Sequence, residues 1–313
     1  MAEARAVSES GLALRRFVRR RAALLGAAYL VLLIGGALAA PAIAPYDPLK
    51  QDPGAMLSTP SRAHWLGTDD LGRDVLSRLL YGARLSLGAS LMAVAIATLA
   101  GLPIGLAAGY LGGAADDALM RVIDALQAFP ALILAMAISA ALGPGLVNVM
   151  IAVGIVYTPR FARLVRGQVL SLREELFVEG ARAAGASHLR IIARHVLPNV
   201  VAPVTVQVSI GVAFALLAET SLSFLGVGIK PPEPSWGTDV GRGYRFMRLA
   251  PWLVFIPGSV ILLTTLAFNM VGDGMGGLAA GLGDGVGDMF GGIGDMVGDV
   301  GDSIGDAFDG FDF

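Results

Sequence analysis

The chain has 313 residues, 55% of them hydrophobic and only 15% charged, with a mean hydropathy of +0.69, whereas a water-soluble domain is about a quarter charged. So few charges cannot cover the two soluble cores this length would otherwise suggest, and the composition specifies a membrane-embedded protein. A net charge of -2 lacks the basic excess of a nucleic-acid binder, and the absence of cysteine excludes disulfides, thiolate metal ligands and cysteine nucleophiles.

Residues 1–21 are a basic N-terminal segment containing Arg15, Arg16, Arg19, Arg20 and Arg21. Five stretches then lack Asp, Glu, Lys and Arg: Ala22 to Tyr46, Leu85 to Ala115, Ala125 to Pro159, His195 to Ala218 and Leu249 to Gly272. A membrane-spanning helix needs about 20 apolar residues. The third stretch is too long for one such helix, and Gly143-Pro144-Gly145 near its middle divides it into a tight hairpin. The reading is an all-α integral membrane protein with six transmembrane helices, since unbroken apolar runs favour helices over a barrel of alternating polarity. The first helix, 22–46, contains Ala37-Leu38-Ala39, which resembles a signal-peptide cleavage site. Its length and the spans that follow favour an uncleaved anchor. With the N-terminus inside, the cytoplasmic segments hold 14 Lys and Arg against 9 outside, which predicts a cytoplasmic N-terminus.

Residues 47–84 form an outer-face loop. In it, Thr68 or Asp69 could cap a helix with Leu71, Val75, Leu76, Leu79 and Leu80 on one face, lying at the membrane surface. The alternating Asp and Arg there suit mutual pairing better than a bound cation. Residues 85–272 form the core domain of five helices, interrupted by a cytoplasmic segment, 160–198, with seven arginines and three glutamates. Glu174, Glu175 and Glu179 lead into an alanine-rich helix, Gly185 interrupts it, Ala186-Ser187 offers an N-cap for a second helix, and Leu197-Pro198 closes that helix. Such a protrusion could pack Ala181, Ala183 and Ala184 against a partner, or it could be an ordinary surface hairpin. Spacing alone leaves both open.

Glu219 is a carboxylate inside an apolar stretch, about 20 residues past Pro198 and therefore near the outer interface. Its alternatives are a place at the outer mouth of a pathway and a structural hydrogen-bonding role. Pro103, Pro130, Pro203 and Pro257 lie within proposed spans, as hinges or fixed bends. From Val271 to Phe313 the chain holds 15 Gly and nine Asp with no Lys or Arg, so residues 273–313 read as a Gly/Asp-rich tail, a disordered or weakly amphipathic appendage with no function assigned. The small net charge is therefore a cancellation of +7 in residues 1–248 against -9 beyond them.

No catalytic constellation is present. Lys50 and Lys230 are the only lysines, and neither follows a glycine-rich phosphate loop. His64, His188 and His195 are dispersed without metal-ligand spacing, and no Gly-x-Ser-x-Gly elbow occurs. The chain reads as neither an enzyme nor a metal protein.

Glu179-Gly180-Ala181, Gly185 six residues after the glutamate and Leu197-Pro198 resemble the EAA loop of ABC-importer permeases, with departures at Gly180, where alanine is usual, and at His195, where isoleucine is usual. Leu66-Gly67-Thr68-Asp69, Leu71-Gly72-Arg73-Asp74-Val75, Tyr81-Gly82-Ala83-Arg84, Leu222-Ser223-Phe224-Leu225-Gly226, Pro234-Ser235-Trp236-Gly237 and Phe268-Asn269 are similar to the C-type subunit of the dipeptide and oligopeptide branch. The resemblance covers about residues 15 to 274. It implies the ABC type I importer permease fold in a bacterial or archaeal inner membrane, with a coupling loop formed by Glu179, Gly180, Ala181, Gly185, Leu197 and Pro198. It implies as partners a homologous second permease, two cytoplasmic ABC ATPases and an external substrate-binding protein, with ATP and Mg held by the ATPases and no cofactor here. The implied function is half of a pathway for dipeptides or oligopeptides. The alternatives are another peptide-like or nickel-complex substrate, or an ion-coupled secondary transporter, which would need more intramembrane carboxylates than Glu219.

Overall fold

The computed structural model describes residues 20–143 and 145–279. The basic segment up to residue 19 and the tail from residue 280 lie outside the described residues. Among these, regular structure is helical: α1 (Arg21–Ile43), α2 (Val75–Leu111), α3 (Gly113–Gln127), α4 (Ala131–Leu142), α5 (Leu146–Leu172), α6 (Leu176–Ala183), α7 (His188–Ile191), α8 (Leu197–Phe224), α9 (Trp236–Tyr244) and α10 (Trp252–Ala279).

Four stretches are long and apolar enough to cross a bilayer by themselves: Arg21–Ile43, Val75–Leu111, His188–Phe224 and Trp252–Met275. Helices α3 and α4 pass only as a pair, bent by 93°, so length and apolar composition identify four to five spans among the described residues, and α5 would be the sixth of the expected count. The expected hairpin arm from Ala125 is broken because Pro130 cannot continue a helix and disfavours helical backbone at Phe129. That leaves α4 with 12 residues, roughly 18 Å of helix against a bilayer core of roughly 30 Å. Helix α5 is long enough, with 27 residues, but Arg160, Arg163 and Arg166 interrupt its apolar character. These arginines were assigned to the cytoplasmic segment, and the helix instead runs through them to Leu172.

The outer-face helix also differs from expectation. It is not a separate surface helix but the first turns of the 37-residue α2, and its N-cap is Asp74 rather than Thr68 or Asp69. The Asp74 carboxylate accepts hydrogen bonds from the Ser77 amide at 2.8 Å and the Ser77 hydroxyl at 2.7 Å.

The core lies between α2 and α5. Three glycines of α2, one turn apart, bring the backbones together: a Cβ on Gly101 would lie 2.5 Å from the Phe161 Cβ, on Gly105 2.5 Å from the Ala162 carbonyl oxygen, and on Gly109 2.7 Å from the Val169 Cβ. Gly154 of α5 returns the arrangement, with Ile96 at 2.7 Å. Small residues at four-residue spacing are a recurrent way for membrane helices to gain close packing, since lipid supplies no hydrophobic drive between them. Helix α1 lies outside this pair against α10, where Gly26 meets Ala267 and the Tyr29 hydroxyl lies 3.2 Å from that of Thr264. Its opposite side exposes Leu25, Val31 and Leu32, as a lipid-facing surface should.

Gly105→Ala should destabilise the chain by ~1–3 kcal/mol through overpacking. Gly88→Ala, with nothing within 4 Å of the added methyl, should be neutral or stabilise α2 by up to about 1 kcal/mol. Thermal unfolding of the purified protein in detergent checks both, and equal transitions for the two variants would contradict the close-contact account.

Candidate functional site

The segment after α5 folds as two short helices about a glycine. Helix α6 ends in a pair of hydrogen bonds, from the Gly185 amide to the Arg182 carbonyl at 3.0 Å and from the Ala186 amide to the Ala181 carbonyl at 3.1 Å. This is the Schellman arrangement, which needs its capping residue in the left-handed region. Gly185 is there at φ +79, with open space around the position of a Cβ. The demand for glycine is therefore conformational, not steric.

Ser187 occupies the N-cap position of α7, as expected, but its side chain makes no capping bond. Leu197-Pro198 does not close the second helix. The chain passes from α7 through a π-helical stretch, Ile192–Val196, directly into α8. Pro198 lies in the first turn of α8, where its missing N–H costs little.

The two sides of this loop are chemically different. Val178, Ile191 and Val196 are fully buried and join the core cluster that includes Val165 and Val169 of α5 and Tyr110 of α2. Ala181 and Ala186 pack partly against the same cluster. The Tyr110 hydroxyl lies 3.2 Å from His188 Nδ1, and Arg173 donates to the Gly109 carbonyl at 3.2 Å, so the end of α2 is tied to both ends of the loop. Away from the bundle, Leu176 is 82% exposed, Leu189 79% and Phe177 45%. Glu179, Gly180, Gly185 and Pro198 are also exposed, and Leu197 is half-buried. Of the six residues singled out in the sequence, Glu179, Gly180, Ala181 and Gly185 thus lie on the protrusion, and Leu197 and Pro198 open α8. The three outward apolar side chains were not singled out, although leucines beside charged residues in a cytoplasmic segment are a readable signal of a covered surface.

The ends of the helices opposite this loop, the outer ends in the expected orientation, are held by polar groups. Asp69 pairs with Arg73 through a 2.6 Å bond to Nε. Arg78, at the start of α2, donates to Asp239 of α9 from Nε at 2.9 Å and Nη2 at 2.5 Å and to the Pro48 carbonyl at 3.2 Å. Burial pushes the Asp239 carboxyl above its ordinary range, and the adjacent Arg78 opposes this. A cavity of about 20 Å³ lies beside this pair, lined by Asp69, Arg78, Asp239 and Arg242. Trp236 of α9 is fully buried between α2 and α8 and donates to the Leu79 carbonyl at 3.0 Å.

Glu219 lies near the outer end of α8, completely buried, and accepts a 2.8 Å hydrogen bond from the Ser223 hydroxyl. Ser86 of α2 lies beside it and accepts a 3.4 Å hydrogen bond from the Trp236 amide. The carboxylate is thus bonded within its own helix, and its second oxygen is buried with no hydrogen-bond partner among the described residues.

Residues 101–279 match the family described as Binding-protein-dependent transport system inner membrane component, and residues 8–60 match the N-terminal TM domain of oligopeptide transport permease C. The chain is 43% identical over 270 residues to the dipeptide transport system permease protein DppC of Alkalihalophilus pseudofirmus, covering 86% of this chain and 89% of that protein. It is 43% identical to the di/tripeptide transport system permease protein DppC of Pseudomonas aeruginosa, with 83% and 88% covered. It is 42% identical to the glutathione transport system permease protein GsiD of Pectobacterium atrosepticum, with 83% and 87% covered. Among solved structures, the MetNI methionine ABC transporter shares the fold, with a TM-score of 0.51 at 17% identity, covering 64% of this chain and 97% of that one.

Two substitutions separate the loop's glycines. Gly180→Ala, in open space inside α6, should add up to about 1 kcal/mol of helix stability, while Gly185→Ala should cost ~1–2 kcal/mol for its left-handed backbone. Hydrogen exchange of the α6 amides should slow in the first variant and quicken in the second. At the outer end, Arg78→Met leaves Asp239 buried and unpaired and should cost ~3–5 kcal/mol. Adding Asp239→Leu should recover part of that loss in thermal unfolding, whereas a further drop would contradict the pairing.

Proposed function

The chain belongs to the family of binding-protein-dependent transport system inner membrane components, in its oligopeptide permease C branch, and is a multi-pass transport permease; from this premise we propose that it forms half of the pathway for small peptides in an ATP-binding-cassette importer. The substrate follows from the relatives, whose names specify dipeptides, di/tripeptides and glutathione. These favour a peptide over a nickel complex, and the family favours an ATP-driven importer over an ion-coupled carrier.

The observation that carries the coupling role is the two-sided loop. Its inner side is locked into the α2–α5 core by Val178, Ile191 and Val196, and its outer side presents Leu176, Phe177 and Leu189 to the aqueous phase. An apolar protrusion of this kind is stable in water only when something covers it, and a groove in a cytoplasmic ATPase is the fitting cover. Glu179, Gly180, Ala181, Gly185, Leu197 and Pro198 then shape and seat the coupling element rather than perform chemistry. ATP and Mg belong to the two ATPase subunits. A homologous permease completes the pathway, an external binding protein delivers the peptide, and the N-terminus lies in the cytoplasm. Glu219 lies buried near the outer end of α8, beside the pathway mouth.

Leu176→Asp and Leu189→Asp place a charge on the docking surface without touching the core. Each should release the ATPase subunits during co-purification and lower peptide uptake by about tenfold or more, with the permease still present in the membrane. Full retention of the ATPases together with normal uptake would overturn the assignment.

A further inference from the structure

Six charged side chains meet at the end of the bundle opposite the glycine-centred loop: Asp69, Asp70 and Arg73 before α2, Arg78 of α2, and Asp239 and Arg242 of α9. Three arginines face three aspartates, so the group has no net charge. The cavity of about 20 Å³ beside the Arg78–Asp239 pair takes its polar lining from Asp69, Arg78, Asp239 and Arg242, with Val75 among its apolar neighbours. A site for one water needs roughly 10–15 Å³ of such space and two to four polar partners.

The direct bonds within the group leave atoms over. Arg78 directs both Nε, at 2.9 Å, and Nη2, at 2.5 Å, to the same oxygen, Asp239 Oδ1, so neither bond reaches Asp239 Oδ2. Arg242 Nη1 is buried and has no hydrogen-bond partner among the described residues. The carboxylate oxygen it faces, Asp70 Oδ1, is buried and unpartnered in the same way and stands 3.8 Å away. That separation is too long for a direct hydrogen bond and is the kind that a water bridges. A charged donor kept from solvent without an acceptor is costly, so the arrangement calls for one more partner at this point.

We infer that the cavity is a binding site for a single water molecule, which accepts a hydrogen bond from Arg242 and donates to Asp239 and Asp69. Three bonds is the usual number for a buried water. Size and charge select this ligand. The volume is that of one water and admits no organic molecule. The two arginines and two aspartates of the lining cancel, so neither an anion nor a cation would find its charge compensated there. The water reaches from α9 to the segment before α2 and completes a pairing that the side chains alone leave unfinished.

A structure of the purified full-length protein at a resolution that shows ordered water tests this. One peak should stand in the cavity, about 2.7–3.2 Å from Arg242 and from an aspartate oxygen. A cavity without density would overturn the assignment, as would an anomalous peak there after exchange of chloride for bromide or of potassium for rubidium. A double-mutant cycle gives a second readout. Val75→Ile adds a methylene beside the cavity and should displace the water, lowering the thermal midpoint by roughly 2–4 °C. With Arg242→Met the donor is gone, and in that background the same change should have little effect. A higher midpoint for Val75→Ile alone means that a dry pocket has been filled, and an equal fall in both backgrounds means simple crowding. Either result sinks the bridging water.

Discussion

The close approach of α2 and α5 is the constraint on which the rest depends. Gly101, Gly105 and Gly109 leave no room for a methyl group between the two backbones, so neither helix can rotate or slide without a clash. The pair is therefore packed as one body. At one end, Val165 and Val169 of α5 share a core with Val178, Ile191 and Val196 of the loop, and Tyr110 and Gly109 of α2 hold the loop through His188 and Arg173. A push on the loop is consequently a push on α2 and α5 together. Close-packed interiors pass displacement on rather than absorb it, which is the property a coupling element requires.

The outer end of the same body is fixed by different means. Polar contacts join the packing there: Arg78 reaches Asp239 and the Pro48 carbonyl, Ser223 donates to Glu219, and the Trp236 amide donates to Ser86. Buried ion pairs contribute little net stability against a well-packed apolar core, but breaking one is costly. Such contacts define a position more than they add strength. An outer end defined by a few discrete bonds and an inner end defined by continuous packing give a body whose two ends respond differently to force.

How much of this is legible in the sequence depends on what each residue type signals locally. Apolar runs give most of the spans, and the glycine-centred loop follows from helix capping at Gly185 together with its resemblance to a known pattern. Counting charges fails at Arg78, Arg160 and Arg163, because a charge signals a loop or a surface only if water solvates it. Arg78 is instead satisfied by Asp239, 161 residues away, and a pairing of that separation leaves no local trace. The outer helix was therefore separated from α2, and α5 was ended too early. Pro130 announces a hinge or a fixed bend, but the size of the turn, 93°, is not written in the proline alone. The four-residue spacing of Gly101, Gly105 and Gly109 was present to be read, and composition arithmetic passes over it because glycine there counts only as a weak helix former.

The arginines that obscure α5 as a span also explain why it is built as it is. A helix that crossed a bilayer alone would lose stability for each of them, and α5 can carry them only because α2 covers its opposite side without a gap. The buried side uses Gly154, Ala162, Val165 and Val169, small or branched residues that let two backbones meet. The other side is then released from packing duty and can hold Arg160 over two aromatic rings and Arg163 against Asp124. The glycine seam and the charged face are therefore two aspects of one design. The tighter α5 is held against α2, the less its remaining surface must resemble lipid.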